Sequence, residues 1–296
     1  MGERGWLAFA LVASLTACAL GSSAERVVSL APALTRMVVD VGAGDRLVGV
    51  AEHDAAAPEG VVVVGSMMAI DRERLIAVRP DLMVHMGVMG ATGGHLEMVA
   101  RRTGCSVVGL GYPEGVGDVL RLVARYPDEA ERVTVGSLVD REAAAVALRR
   151  SLEGRLAAVA ERVAGVDRPR VLLVFGVEPV AASGPGTVLD EMLALAGGRN
   201  ALGEAGGPYQ VLDQELLRKV SPEAVLLLLP NAPELVAGDA RLVPWERSGT
   251  PAWREGRVWL LNHPEVLLPS TRMVEVVELM ARRLHPALFE AGASDE

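Results

Sequence analysis

From Arg26 onward, short apolar runs alternate with segments whose apolar positions recur every three or four residues. Residues 26–30 predict a strand, followed by Pro32 and a helix over 35–41. Further strands are predicted at 46–50, 82–85 and 106–110, with a helix near 94–103 between the last two. This βαβα rhythm predicts a parallel sheet covered by helices. It returns after Pro169, with strands at 170–176, 224–229 and 257–261 and helices at 188–196 and 270–284. Between the two rhythmic halves, residues 140–164 contain no proline and are rich in Ala, Arg, Glu and Leu. Leu148, Leu152, Leu156, Val159 and Val163 follow a helical spacing, Asp140 is the expected N-cap and Gly165 the expected stop. Such a helix is roughly 37 Å long. It can cross between two lobes, or pack on one of them.

One segment occurs twice. Residues 70–84 reappear without gaps as residues 212–226, with Asp71 and Asp213, Glu73 and Glu215, and Pro80 and Pro222 at matching positions. Both copies predict an Asp-capped short helix, a proline turn and an apolar strand. A repeat this far apart predicts two similar lobes, each presenting an acidic residue at the same place. Alternatively, a glutamate in a first helical turn serves only the helix dipole.

The chain of 296 residues is long enough for two domains, and half of its residues are apolar. Aromatics are only 3%, so aliphatic side chains must fill the core. The formal charge of −9 argues against nucleic acid as a partner, which requires a basic face. Residues 1–24 read as an export signal: Arg4 precedes an apolar run from Trp6 to Leu15, too short to span a bilayer as a stable helix. Leu15-Thr16-Ala17-Cys18 resembles a bacterial lipobox, which makes Cys18 the lipidated residue; Ser22-Ser23-Ala24 offers a competing cut. The other cysteine, Cys105, then has no partner and reads as a small core residue.

The order and spacing of several pieces are similar to the periplasmic solute-binding proteins of ABC importers for cobalamin, ferric siderophores and haem. These pieces are residues 26–35, the glycine-bearing stretch 42–50, Val64-Gly65 before the first repeat copy, Arg79-Pro80-Asp81-Leu82 within it, Ser183-Gly184-Pro185-Gly186-Thr187 and Gly197-Gly198-Arg199-Asn200. The resemblance runs from Arg26 to about Leu284. It implies an α/β fold of two Rossmann-like lobes with parallel sheets joined by one long interdomain helix. The lobes would be residues 26–135 and 168–290, with the linking helix within 136–167. It also implies that Glu73 and Glu215 pair with arginines of a dimeric permease served by an ATPase. The bound ligand would be a cobalt or iron chelate, with no intrinsic cofactor, and the protein an exported, lipid-anchored monomer in the periplasm or on the outer face of the cytoplasmic membrane.

In open α/β sheets, ligands bind beyond the carboxyl ends of strands. That rule selects residues 32–35, His53, Met67, His85, Met86, Met89, Glu178, Tyr209 and His263 as cleft candidates. Cobalamin-binding family members carry aromatics at several of these places, whereas this chain has His53, Met67 and Met86, leaving Tyr209 as the one aromatic. Met suits an irregular, partly apolar chelate. His53, His85 and His263 all fall at strand ends and could ligate a metal or a haem iron, although no tight ligand spacing such as HxxxH is present. An enzyme is disfavoured: no G-x-G-x-x-G follows the first strand, and no G-x-x-x-x-G-K-[ST] or G-x-S-x-G occurs. A sensor of the same fold differs from an importer only in its partner.

Overall fold

The computed structural model describes residues 24–66, 69–87, 92–203 and 206–290. Cys18, Met67 and Met89 lie outside the described residues, as do residues 1–23 of the expected export signal. The first half contains β1 (Val27–Ser29), α1 (Pro32–Asp40), β2 (Leu47–Val50), β3 (Val62–Val63), α2 (Arg72–Ala77), β4 (Leu82–Met86), α3 (Thr92–Thr103), β5 (Ser106–Leu110), α4 (Val116–Val123) and α5 (Val135–Leu138). α6 (Glu142–Arg162) follows. The second half contains β6 (Arg170–Val177), β7 (Val180–Ser183), α7 (Val188–Leu195), β8 (Arg199–Asn200), β9 (Tyr209–Leu212), α8 (Gln214–Val220), β10 (Ala224–Leu228), α9 (Val243–Ser248), α10 (Pro251–Arg254), β11 (Val258–Leu261), α11 (Met273–Leu284) and α12 (Ala287–Glu290). No helix among the described residues is long and apolar enough to cross a membrane.

The first sheet has the order β3-β2-β1-β4-β5 and is parallel throughout. The second has the order β11-β10-β6-β7-β9, with β8 beside β6. It departs from the all-parallel expectation, because β7 runs antiparallel to both β6 and β9. The cause is a tight reversal at Glu178-Pro179, where Val177 pairs with Val180. Val180-Ala181-Ala182-Ser183 is short and carries little β preference, so its pattern does not signal a strand. α1 also starts earlier than its apolar spacing suggests, because Pro32 is well suited to a first helical turn.

Strand alternation divides the core. Val27, Leu82 and Val84 point inward with Leu173 and Leu226 of the second sheet, and pack around α1, α4, α5, α6, α7 and α11 in one continuous cluster. Val28 and Met83 point outward, under α2 and α3. Leu172 and Val174 point outward in the second half, against Leu217 and Trp245. The two sheets therefore share an inner layer of helices.

α6 is the spine of that layer. Its 21 residues give a length of about 31 Å. It packs on α4 and α5 of the first lobe and on α7 and α11 of the second. Leu152, Leu156, Val159 and Val163 of the predicted stripe are buried. Asp140 does not cap the helix; it lies in the left-handed region at φ 49°, and the helix begins after Arg141 without a side-chain cap. Two arginines anchor α6. Arg155 forms a fork with Glu278 of α11, with both contacts at 2.9 Å. Arg149 is buried and donates to Glu129 at 2.7 Å and to the Ala124 carbonyl at 2.9 Å.

The Arg149 guanidinium holds the Glu129 carboxyl down at about 2, against an ordinary value of 4.5. Its contribution to stability is therefore present above the unfolded value and lost as pH falls through the folded one. Glu129→Gln is expected to lower the melting temperature at pH 7, with the difference shrinking from pH 5 towards pH 2. Melting curves across that window check it.

The repeated segment is also a structural repeat. The Asp71 carboxylate accepts from the Glu73 and Arg74 amides, and the Asp213 carboxylate from the Leu216 amide, so both helices carry the expected Asp cap. Both copies leave their helix through a left-handed residue before the proline, Arg79 at φ 46° and Ser221 at φ 47°. Each lobe then adds a matching brace. Arg26 donates to the carbonyls of Val78 (2.6 Å) and Arg79 (2.9 Å), while its own amide reaches Asp81 at 3.1 Å. Arg170 likewise donates to Val220 (2.7 Å) and Ser221 (3.3 Å), and its amide reaches Glu223 at 2.7 Å. Arg26 directly precedes β1 and Arg170 opens β6; these strands pair with β4 and β10 respectively.

Candidate functional site

Loops leaving β5, β7 and β11 enclose a cleft of about 730 Å³. Tyr112, Pro113 and Glu114 contribute from the first half. Phe175, Gly186 to Leu189, Met192, Pro208, Tyr209 and the run Leu267-Leu268-Pro269 contribute from the second. Its size lies within the range of small-molecule sites. Tyr112 is 61% exposed and Tyr209 64%, and Leu267 on the same rim is also exposed. Large apolar groups left in water around one concavity mark a binding surface.

The walls are locally rigid. Tyr209 opens β9 and meets Phe175 edge to face, with ring centroids 6.0 Å apart at 82°. Thr187 caps α7 by accepting from the Asp190 amide at 3.1 Å, and its hydroxyl is bonded to Ser183 at 2.9 Å. Gly184 sits against the Gly207 carbonyl so closely that a Cβ would lie 2.0 Å from that oxygen, so glycine is required there. The glycine loop 183–187 thus lines the cleft through Gly186 and Thr187. Desolvation inside the cleft pushes the Tyr112 phenol above its ordinary value, and the neighbouring Tyr209 phenol adds to the shift.

The charge of the lining is simple. Among the described residues it holds one carboxylate, Glu114, and no Lys, Arg or His.

Of the sequence-predicted ligand residues, Tyr209 lines this cleft. Met86 is buried in the shared core, and its strand neighbour His85 faces the opposite side of the sheet, as alternation demands. The His85 ring packs on β5 where Gly109 lacks a side chain; a Cβ there would come within 2.7 Å of the imidazole. Burial pushes that imidazole below its ordinary value, favouring the neutral ring. His53 is an exposed loop residue at φ 58°. His263 has both nitrogens engaged: Nδ1 accepts from the Glu265 amide at 3.1 Å and Nε2 faces Glu275 at 3.1 Å. The three histidines are not brought together, and the described residues contain no group of three or more His, Cys, Asp or Glu placed to hold a metal ion. Glu178 sits exposed in the β6–β7 turn, away from the cleft lining. Tyr112 and Phe175 escape the sequence reading because each is a single aromatic without periodic context. Their position beside strand ends is the one available signal.

Beside the cleft, a polar seam joins the lobes. Arg36 of α1 donates to Glu265 at 2.7 Å, and Glu265 also accepts from the Ser270 hydroxyl at 2.7 Å. Asp40 of α1 accepts from Thr271 and, at 3.3 Å, from Arg272. Asp54 lies near this seam and accepts from the Ala56 amide at 3.0 Å. Burial pushes its carboxyl above the usual range, opposed chiefly by hydrogen bonds from Thr35 and the Ala56 amide; Glu265 nearby adds to the rise and Arg36 opposes it. A carboxyl raised in the folded state costs stability once pH exceeds its unfolded value. Asp54→Asn, which keeps an acceptor for the amide, is expected to raise the melting temperature at pH 8. The gain should vanish below pH 3, where both forms are neutral.

Glu73 and Glu215 occupy the first turns of α2 and α8, both exposed, without an ion-pair partner among the described residues. α2 follows β3, and α8 follows β9, which runs parallel to β6. Both glutamates therefore stand at the carboxyl edges of their sheets, the edge from which the cleft loops after β5 and β11 leave; the loop after the antiparallel β7 leaves the opposite edge.

The family model for periplasmic binding proteins matches residues 27–264. The chain belongs to the periplasmic binding protein family. A cobalamin-binding protein of Halobacterium salinarum is 27% identical over 281 residues, covering 92% of this chain and 73% of that one. An uncharacterized ABC transporter substrate-binding lipoprotein of Bacillus subtilis, YvrC, is 25% identical over 276 residues, covering 90% of this chain and 82% of that one. The crystal structure of the periplasmic heme-binding protein HutB of Vibrio cholerae matches the fold with a TM-score of 0.75 at 20% identity, over 88% of this chain and 99% of that chain. This family membership agrees with the two-lobed α/β architecture, in which one sheet is parallel and the other mixed.

Proposed function

We propose that the protein is an exported solute-binding component of an ABC importer, and that its cargo is a cobalt corrinoid held in the cleft bordered by Tyr112 and Tyr209. One observation carries the choice of cargo: the described lining is aromatic and aliphatic and offers no cation. A ferric catecholate complex is strongly anionic and calls for arginine or lysine. A cobalamin is close to neutral and presents broad apolar edges, amides and a rigid ring plane, which aromatic rings grip through face contact and polar tips. The cobalamin-binding relative supports the same choice. Haem is the second reading, favoured by the two exposed tyrosines in the cleft lining, since a tyrosine oxygen is a competent ferric haem ligand.

Glu73 and Glu215 are the docking pair for a two-fold permease. The matched caps, turns and arginine braces of the two lobes hold them in equivalent settings. Cys18 is the lipid attachment site in this reading, consistent with the lipoprotein relative. No catalytic step is assigned. A ligand sensor of the same fold would use the same cleft with a different partner.

The ligand reading is tested by native mass spectrometry of the protein as purified, followed by titration with cyanocobalamin, hemin and a ferric catecholate complex. Saturable one-to-one binding of cyanocobalamin with weaker binding of the others is expected. Tight catecholate binding without cyanocobalamin binding would reverse the assignment.

A further inference from the structure

The apolar rim Leu267-Leu268-Pro269 belongs to the second lobe, yet its position depends on the first. The loop that carries it is closed at its neck by Ser270 donating to Glu265 at 2.7 Å. The same Glu265 carboxylate receives the Arg36 guanidinium of α1 at 2.7 Å, from 229 residues away in sequence. Glu265 is 3% exposed, so this charge is buried at the junction of the lobes. Beyond the rim, Thr271 and Arg272 both reach Asp40, one turn along α1 from Arg36. Val266 anchors the inner side of the loop in the shared core. The rim is thereby pinned on both flanks to a first-lobe helix that does not itself line the cleft.

We propose that Arg36 and Glu265 are positioning residues for ligand, which hold the Leu267–Pro269 rim at a fixed distance from Tyr112 and so set the affinity of the cleft. The proposal rests on the reading of that cleft as the ligand site. A buried carboxylate stripped of its guanidinium is left uncompensated, and the loop must open towards water to rehydrate it. That opening moves three apolar lining residues while the folded core, held elsewhere by α6 and the continuous cluster, persists. Because one carboxylate serves both Arg36 and Ser270, loss of either charge in the pair has the same consequence for the rim.

The test uses the full chain with three variants: Glu265→Gln, Arg36→Gln and the double. Cyanocobalamin affinity is measured by calorimetry and release by stopped flow, and hydrogen exchange is followed in residues 263–272. Each single variant is expected to exchange faster in that segment and to bind cyanocobalamin at least tenfold more weakly, chiefly through faster release. The double should be no worse than either single, because both remove one interaction. Affinity within twofold of the parent, with the loop exchanging faster, would overturn the proposal, as would additive losses. Should the glutamine variants fail to fold, Glu265→Asp serves instead: its shorter side chain cannot reach Arg36 and Ser270 together, and the same pair of readouts applies. If the parent binds neither cyanocobalamin nor hemin, the cleft reading itself fails. The exchange rates then decide the latch alone, and unchanged protection of 263–272 would sink it.

Discussion

Replacing Tyr209 with alanine is expected to weaken cyanocobalamin binding by about thirtyfold or more, corresponding to a loss of about 2 kcal/mol. Tyr209 is an aromatic of the cleft lining. It is exposed, meets Phe175 edge to face, and lines the same cleft as Tyr112 of the first half. A ligand plane entering between the lobes covers both rings, and the Phe175 contact means that little side-chain freedom remains to be lost on binding. Tyr112→Ala removes the facing wall and should produce a loss of similar size. Stability should barely change in either variant, since neither ring is buried in the folded core. Tyr209→Phe separates the two ligand readings: a corrinoid stacked on the ring keeps most of its affinity, whereas an iron held by the phenol oxygen loses its ligand and shifts its visible spectrum. Calorimetry with cyanocobalamin and absorbance titration with hemin read out both.

The second large effect concerns transport. Reversing both charges proposed for docking, Glu73→Arg together with Glu215→Arg, is expected to abolish uptake of cyanocobalamin through the cognate permease and to leave binding to the free protein within twofold. Each exposed pair alone contributes little at a wet surface. Two contacts held at a fixed separation by a rigid pair of lobes act together, so a single reversal should give a partial loss and the double a loss of tens of fold. That rigidity comes from the shared core and from α6 with its Arg155–Glu278 fork. Uptake that is unchanged in the double variant would remove the docking role from both residues.

The repeat was legible because its information is local. Asp71 and Asp213 cap helices that begin within three residues of them, and Pro80 and Pro222 stop those helices just beyond their ends. Four of the five strands of the first sheet were legible for the same reason, being apolar runs bounded by turn residues; the two-residue edge strand β3 was not. The β6–β7 hairpin was not, because Val-Ala-Ala-Ser acquires strand geometry from its neighbours on both sides. Histidines at strand ends drew attention as ligands, but alternation turns His85 to the outer face and the loop geometry gives His263 two local partners. Tyr112 and Phe175 carry no pattern of their own and become site residues only when the lobes meet. The same holds for Arg36 and Glu265, whose pairing spans most of the chain.

Whether the cleft holds a corrinoid is decided by equilibrium titration of cyanocobalamin against the parent and the Tyr112→Ala/Tyr209→Ala double variant, both shown by melting curves to be folded. Saturable one-to-one binding to the parent is expected, with affinity lost by at least two orders of magnitude in the double variant. A folded parent that does not bind cyanocobalamin, or a double variant that binds it as tightly as the parent, would contradict the corrinoid reading.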